Sequence, residues 1–327
     1  RIMSSQLTAS SGLQVINPGI FSLIQDAGRF GLHGIGLTNG GPLDSNAFRW
    51  ANRLCANPQG CAAVEVTIGG LVLEATVDTT IAVTGASAPL TINGHACELW
   101  RSYSIQTGAR IELGFATSGS RIYLAVAGGF QIEPRFNSVS TVPRESLGGL
   151  HGDGSPLQAG DMLPCESQRS TTPLSLAADL RPDYSTNRAL LRVILGYQQA
   201  LFSDLQKQLF FTSDYQVTDR SDRMGYRLKG TAIVPSADGI LSEGICLGAI
   251  QVPADGQPIV LLNDRQTIGG YPKLGSVLSL DISKLAQLLP GATVNFEAIS
   301  IEQAHNALML DQQYFERCTP EEIVTND

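Results

Sequence analysis

Lysine is scarce in this sequence: among 327 residues, only Lys207, Lys229, Lys273 and Lys284 are lysines. Arginine supplies nearly all of the positive charge, and the formal net charge is −8. Binding of nucleic acid needs clustered basic residues that neutralise phosphates, so this balance argues against a nucleic-acid partner. Arginine is instead suited to bidentate contacts with a carboxylate or a phosphate.

Long apolar runs, secretion patterns and metal-binding spacings are also lacking. No apolar run approaches the roughly twenty residues of a membrane-spanning helix, and no signal-peptide pattern opens the sequence. The six cysteines form no C-x-x-C pair, which favours reduced core thiols. The four histidines share no ligand spacing with Cys, Asp or Glu. We therefore expect a cytoplasmic protein without a metal site and without membrane association.

Several catalytic motifs are absent as well. The sequence has no G-x-x-x-x-G-K-[ST] loop, no dinucleotide fingerprint and no G-x-S-x-G elbow. It also has no Ala-Met-Lys-Met segment, so we expect no covalent biotin on this chain. These absences favour one component of a multi-chain enzyme over a self-sufficient one.

What the sequence does contain predicts many short strands. Hydrophobic residues make up 43% of the chain, and 34 glycines separate short apolar runs. Strands are predicted near 71–77, 80–84, 110–115 and 121–127. The stretch 166–187 is rich in Ser, Thr, Pro and charge, and it divides the chain into predicted domains 12–170 and 188–312. Helix starts are predicted at Asp44 or Ser45, at Ser203, at Ser283, and at Ser300 with an end at Leu308.

The two predicted domains share one order of features. Each has an apolar strand, an Asp with a nearby Arg, a glycine-rich turn, and then a Leu-Asp pair before a helix. Asp26 and Asp44 are the acids of the first copy, and Asp264 and Asp281 are those of the second. Two copies of one barrel-like unit are the favoured interpretation, and chance similarity is the alternative because identities are few.

The most informative segment is SEGICLGAIQVPADGQPIVLLNDRQTIGGYP at 242–272. A polar cluster follows its second apolar run and precedes a glycine turn, as in many binding sites. The alternative is a strand and a tight turn whose charges are solvated or paired. The polar residues and the turn comprise Asp264, Arg265, Gln266, Thr267, Gly269, Gly270 and Tyr271.

Three further sets of residues are candidates for substrate binding, each with a structural alternative. Asp26 and Arg29 either line a cleft between the domains or form an ion pair that shapes their turn. Glu65 begins a buried strand and is either a site residue or the partner of an arginine. In SDRMGYRL at 221–228, Arg223 and Tyr226 either hold a substrate carboxylate or, for Arg223, pair with Asp222.

These segments together resemble the family of the bacterial 5-oxoprolinase C subunit, also called allophanate hydrolase subunit 2 or the biotin-dependent carboxyltransferase-like family. The N-terminal run PGIFSLIQDAGRFGLHGIGLTNGGPLDSNAFRWANRL at 18–54 and EVTIGG at 65–70 carry the resemblance with the two segments above. It implies two cyclophilin-like β-barrel domains. It also implies an ATP-dependent complex with separate A and B subunits that opens 5-oxoproline to glutamate, with Asp264 and Arg265 as catalytic residues.

The resemblance leaves two other functions open. A Kip-type protein of this architecture acts as the antagonist of a kinase inhibitor, through a protein interface without turnover. The second of these functions is that of one half of a biotin-dependent carboxyltransferase, as in urea carboxylase. The sequence also departs from the family pattern: segments 137–141 and 148–153 each lack the arginine expected there, which weakens the case for an anion contact in that region.

Overall fold

The computed structural model describes residues 11–168 and 172–324. The predicted class, a mainly β chain with a few short helices built as two β-barrel units, is confirmed. Among the described strands, those of the C-terminal unit close by continuous pairing, and those of the N-terminal unit form two sheets. The predicted domain limits 12–170 and 188–312 stay a prediction, and residue 170 lies outside the described residues.

The N-terminal half is a pair of sheets with strand orders β11-β1-β4-β9-β6-β7 and β2-β3-β10-β5-β8-β12-β22. Alternating apolar residues, such as Leu71 and Leu73 of one sheet and Val64 and Val66 of the other, fill the space between them. The strands are β1 Gly12–Pro18, β2 Phe21–Gln25, β3 Ala63–Thr67, β4 Leu71–Ala75, β5 Thr79–Ser87, β6 Leu90–Ile92, β7 His95–Cys97, β8 Arg101–Ile105, β9 Arg110–Leu113, β10 Ser118–Val126, β11 Met162–Pro164 and β12 Leu174–Ser175.

The C-terminal half is a closed barrel of order β13-β20-β17-β18-β15-β14-β21, with a separate pair formed by β16 and β19. Leu191, Val260 and Phe296 belong to its buried core. Its strands are β13 Arg188–Leu195, β14 Tyr215–Ser221, β15 Gly225–Lys229, β16 Glu243–Gly244, β17 Ala249–Gln251, β18 Ile259–Leu261, β19 Ile268–Gly269, β20 Lys273–Val277 and β21 Thr293–Ala298, while β22 Glu321–Glu322 returns to the N-terminal half.

The described residues include four α-helices: α1 Ser45–Leu54, α2 Asp204–Thr212, α3 Ser279–Ala286 and α4 Ile301–Arg317. The predicted caps at Asp44, Ser203 and Ser300 are confirmed. Two limits were wrong. Helix α3 begins at Ser279 instead of Ser283, and α4 continues beyond Leu308 to Arg317 because Phe315 is buried against α1.

Helix α1 links the two halves. It packs on the outer face of the seven-stranded sheet through Phe48 and Trp50, and Trp50 meets Phe315 of α4 edge to face at 4.8 Å. This third apolar cluster fixes the end of α4 to the N-terminal half. No helix in the described ranges has both the length and the hydropathy needed to cross a membrane.

Candidate functional site

One buried arginine joins the two halves of the molecule. The Arg223 guanidinium donates from Nη1 to Glu65 Oε1 at 2.6 Å, and from Nε and Nη2 to the two Asp264 oxygens at 2.9 and 3.0 Å. Its Nη2 also donates to the Gly41 carbonyl at 2.6 Å. Glu65 comes from β3, whereas Arg223 and Asp264 come from the turns at the ends of β14 and β18. We call the three charged residues the junction.

The sequence places Glu65 in the junction by strand alternation. Val64 and Val66 face the space between the two sheets, so the side chain of Glu65 points to the other face of β3. There its Oε2 accepts from the Leu43 amide at 2.9 Å and from the Tyr123 hydroxyl at 2.7 Å. Every Glu65 oxygen therefore has a donor, as a buried carboxylate requires.

The pKa directions in the junction follow from burial and charge. Burial alone would raise the pKa of Glu65, but the charges of Arg223 and Arg121 and the bonds from Leu43 and Tyr123 bring it below its usual value. Burial raises the pKa of Asp264, and Arg223 opposes that rise. Burial would lower the pKa of Arg223, but the two carboxylates raise it instead. The arginine is thus charged at any physiological pH.

Asp264 matches the alternative considered for its segment, in which the charges are paired within the protein. It is 2% exposed, and both of its oxygens accept from Arg223. Its amide donates to the Arg223 carbonyl at 2.9 Å, which holds the two turns together. An Asp in this geometry positions an arginine, and its side chain is almost fully shielded from solvent.

Arg265 is also buried, at 3% exposure, but it has no carboxylate partner among the described residues. It donates to the Ile245 carbonyl at 3.0 Å and to Asn39 Oδ1 at 3.0 Å, while His33 Nε2 lies 3.5 Å from its Nη2. Burial lowers its pKa. Arg265 therefore joins the glycine-rich segment 28–41 to the turn after β18.

The rest of the predicted cluster forms a hairpin-like surface element. Thr267 accepts from the Ile245 amide through its carbonyl, and β19, which contains Gly269, pairs with β16. A Cβ on Gly269 would lie 2.7 Å from Ile245 Cδ1, so this glycine allows a close approach. The Gly270 carbonyl accepts from the Ile240 amide. The side chains of Gln266 and Tyr271 are exposed at this surface.

Asp26 and Arg29 lie in a second polar cluster and do not form the ion pair considered above. Asp26 accepts from the hydroxyls of Ser138 at 2.6 Å and Ser140 at 2.7 Å, and from the Val139 amide at 2.9 Å. Arg29 donates to the carbonyls of Ser138 and Ser140. Both residues therefore bind the segment 135–140, which packs beside the junction through Gly40.

Tyr226 is buried and is engaged by the protein itself. Its hydroxyl lies 3.2 Å from the Ala286 carbonyl and 3.4 Å from the Leu288 carbonyl, at the end of α3. The pairing of Arg223 with Asp222, considered as the structural alternative, is absent, because the Asp222 carboxylate instead accepts from the Met224 and Gly225 amides. Tyr226 and Arg223 do, however, line a common cavity.

Two arginines of the site region were missed by sequence reasoning. Arg144 donates to the carbonyls of Asp264 and Arg265 at 3.0 Å each. Arg121 sits in β10 with 7% exposure and donates to Thr67 Oγ1 at 3.2 Å. The signal for Arg121 was present: a charged residue interrupts the apolar strand SRIYLAV.

Two cavities lie near these elements. The larger, of about 580 Å³, is lined by α1, α3, α4 and the segment 180–192, and no predicted site residue lines it. Two ion pairs lie along it, Arg49–Asp311 at 2.7 Å and Arg192–Asp281 at 2.7 Å. The smaller, of about 240 Å³, is lined by Arg121, Arg223 and Tyr226. We call this one the rear cavity, and two buried arginines and a buried tyrosine line it.

No group of three metal-ligating side chains occurs within the described ranges. The site therefore consists of arginines, carboxylates and backbone groups. Such a set is chemically suited to contacts with an anion or an amide.

Comparisons with known proteins identify the family to which this chain belongs. Residues 35–298 match the family described as "Carboxyltransferase domain, subdomain A and B", so the chain belongs to the carboxyltransferase-domain family. The structure is similar to that of the K. lactis urea amidolyase, with a TM-score of 0.87 and 25% identity. That likeness covers 100% of this chain but only 21% of the amidolyase.

Within the family, the chain is similar to the C subunit of 5-oxoprolinase. It is 36% identical to that protein of Escherichia coli over 309 residues, which are 93% of this chain and 97% of the relative. It is 34% identical to that of Haemophilus influenzae over 88% of this chain and 93% of the relative. The family predicted from the sequence motifs is confirmed.

Proposed function

We propose that this chain is the C subunit of an ATP-dependent 5-oxoprolinase, and that it opens 5-oxoproline to glutamate together with separate A and B subunits. The observation that carries the proposal is end-to-end similarity: 97% of the E. coli C subunit is covered at 36% identity. The urea amidolyase, by contrast, contains this unit as 21% of a longer chain. The E. coli and H. influenzae relatives are named as C subunits of 5-oxoprolinase, which supports a role for this chain within a complex.

The contacts support a division of roles in the site. Asp264, expected to be catalytic, is on this proposal a positioning residue, because its carboxylate is taken up by Arg223. Arg265 fixes the glycine-rich segment through Asn39. Gln266, Thr267 and Tyr271 of the surface element are then the residues available to substrate or partner. Asp26 and Arg29 support the neighbouring segment 135–140.

A partner surface is proposed beside the Arg265 contact. The two segments that this contact joins carry exposed large apolar side chains: Phe30 is 68% exposed and Ile35 65% in one, and Ile268 is 60% and Tyr271 47% in the other. Exposed apolar groups that cluster on polar loops are typical of interaction sites. We assign this surface to the homologue of the B subunit.

ATP belongs to the proposed complex, and no residue of this chain is assigned to it. At about 240 Å³, the rear cavity is smaller than the roughly 300–1,000 Å³ typical of drug-sized ligands, so it suits a small acid better than a nucleotide. A requirement for ATP agrees with the expected cytoplasmic location.

The proposal is tested with a substrate panel. The chain is mixed with candidate A and B subunits, and phosphate release is followed with 5-oxoproline or with urea, in the presence and absence of a biotin carrier and bicarbonate. The proposed function predicts ATP hydrolysis that depends on 5-oxoproline and needs no biotin. Biotin-dependent carboxylation of urea would instead support the carboxyltransferase alternative. Tight binding of a protein inhibitor of a kinase, without turnover, would support the Kip-type alternative.

A further inference from the structure

The rear cavity lies directly behind the junction, where the ends of β3 and β10 meet the turn between β14 and β15. Its walls include Phe21, Ile68 and Leu289 on the apolar side, and Arg121, Ser221 and Asp222 on the polar side. The volume of about 240 Å³ holds one small molecule. What distinguishes this cavity is the state of its polar groups.

Arg121 is a buried cation without a counterion. Among the described residues, no carboxylate oxygen lies within 4.0 Å of its guanidinium nitrogens, and its Nε is buried with no hydrogen-bond partner. Glu65 is the charge that acts on it from a distance, but the oxygens of Glu65 are occupied by Arg223, Tyr123 and Leu43. Buried charges are normally paired.

The contrast with Arg223 shows that the lack of a counterion is specific to Arg121. Both arginines are at least nine-tenths buried, at 6% and 7% exposure, and both line the rear cavity. Arg223 is bound by two carboxylates, whereas the only side-chain partner of Arg121 among the described residues is the hydroxyl of Thr67. A second unpartnered buried group, Ser221 Oγ, lines the same cavity.

The backbone around Arg121 is held rigidly. Gln287 accepts from the Ser120 and Arg121 amides at 2.8 and 2.9 Å and donates to the Arg121 carbonyl at 3.0 Å. Ile68 on the cavity wall has a φ of +68°, a conformation that a β-branched residue rarely adopts. Such strain is maintained by the surrounding structure and collects at functional sites.

We propose that the rear cavity binds the carboxylate of a small cyclic amino acid, with Arg121 and Ser221 as its donors. The carboxylate supplies the missing counterion. Asp222 disfavours a ligand of high negative charge and offers an acceptor to a ring N–H, while Phe21, Ile68 and Leu289 face the apolar ring. Identification of the ligand as 5-oxoproline rests on the proposed function; the carboxylate site does not.

Arg121→Gln and Ser221→Ala test the site, with Arg110→Gln as the matched control because the Arg110 side chain is exposed at the start of β9. Binding of 5-oxoproline, cyclopentanecarboxylate and 2-pyrrolidone is measured by calorimetry, with the chain alone and in the reconstituted complex. We expect both carboxylates to bind, the uncharged lactam not to bind, and Arg121→Gln to weaken binding about ten- to hundredfold. Ser221→Ala should weaken binding less, and Arg110→Gln should not change it.

Melting temperatures distinguish a ligand-binding role of Arg121 from a structural one. If Arg121 is an unpaired buried cation that binds a ligand, ligand-free Arg121→Gln should melt at the wild-type temperature or above it. If Arg121 stabilises the fold, ligand-free Arg121→Gln should melt at a lower temperature. Carboxylate binding that is absent in both preparations, or unaffected by Arg121→Gln and Ser221→Ala, overturns the proposal. If carboxylate binding fails but the complex still turns over 5-oxoproline, the proposed function stands and the carboxylate site is refuted. If the carboxylates bind but the complex shows no turnover, the carboxylate site stands and the proposed enzymatic function is refuted.

Discussion

Arg223 illustrates how a single side chain determines the arrangement of the site. It uses Nε, Nη1 and Nη2 on two carboxylates and one carbonyl, drawn from both halves of the chain. A buried ion pair gains little net stability against its desolvation cost, but removal of one member leaves an uncompensated charge. The junction is therefore sensitive to the loss of any single member.

Asp264→Ala should lower the free energy of unfolding by about 3–5 kcal/mol, because it leaves Arg223 short of its bidentate partner in a buried setting. Asp219→Ala is the control, since Asp219 is an exposed carboxylate on β14 and its removal should change stability by less than about 0.5 kcal/mol. Urea unfolding of both variants measures the two changes in the free energy of unfolding. An Asp264→Ala protein of normal stability that has lost complex activity would instead restore Asp264 as a catalytic group.

At this scale the sequence identified the members of the site better than their partners. Glu65, Arg223 and Asp264 all came from motifs, and all three meet. The contacts that define their roles join residues 158 and 41 positions apart in the chain, which local patterns do not encode. Arg121 was missed because the cavity that it lines is completed by residues of the second half, such as Ser221 and Leu289, which the local sequence does not place beside it.

Helix α3 is attached to the C-terminal barrel by a buried carboxylate. Asp281 lies inside the first turn of α3, with no exposed side-chain surface. It accepts from the Arg192 amide at 2.8 Å and from the Arg192 guanidinium at 3.0 and 2.7 Å. The carboxylate thus ties α3 to β13. Prediction from the Leu-Asp pair placed the helix start too late because it treated Asp281 as preceding the helix.

Asp281→Asn should destabilise the protein by about 1–3 kcal/mol near pH 7, through loss of charge-assisted bonds to a partly exposed arginine. Burial alone would raise the pKa of Asp281, but the bonds and charges of Arg192 and Lys284 bring it below the usual value. The carboxylate therefore stabilises fully above the ordinary Asp pKa of about 3.9, and this stabilisation is lost as the pH falls below it.

The difference in melting temperature between the wild type and Asp281→Asn should accordingly narrow in acid. Thermal melts from about pH 3 to pH 7 measure it directly. A gap that stays constant over that range would mean that the charge of Asp281 contributes nothing to the attachment of α3.

Phe315→Ala should lower the free energy of unfolding by about 3–5 kcal/mol, since Phe315 is 3% exposed and packs on Trp50 across the two halves. Leu310→Ala on the same helix is the control, because Leu310 is 67% exposed. The pair is compared by chemical denaturation. Equal stability of the two variants would show that α4 does not hold the halves together.

For the molecule as a whole, the sequence predicted the mainly β class, the positions of strands such as β4 and β10, and the caps of α1, α2 and α4. Period-two alternation and short-range capping geometry carry that information. The return of α4 and β22 to the N-terminal half was not predicted, because Phe315 is a single buried aromatic residue near the end of a largely exposed helix and gives little signal in the sequence. The two-sheet form of the N-terminal unit likewise depends on long-range pairing.

The most direct test of the proposed function is glutamate formation in a mixture of this chain, homologues of the A and B subunits, ATP and 5-oxoproline. Glutamate release should fall to background when this chain is omitted, and it should return when the purified chain is added. The chain alone should release none. Undiminished glutamate release without the chain, or robust turnover by the chain on its own, would contradict the account.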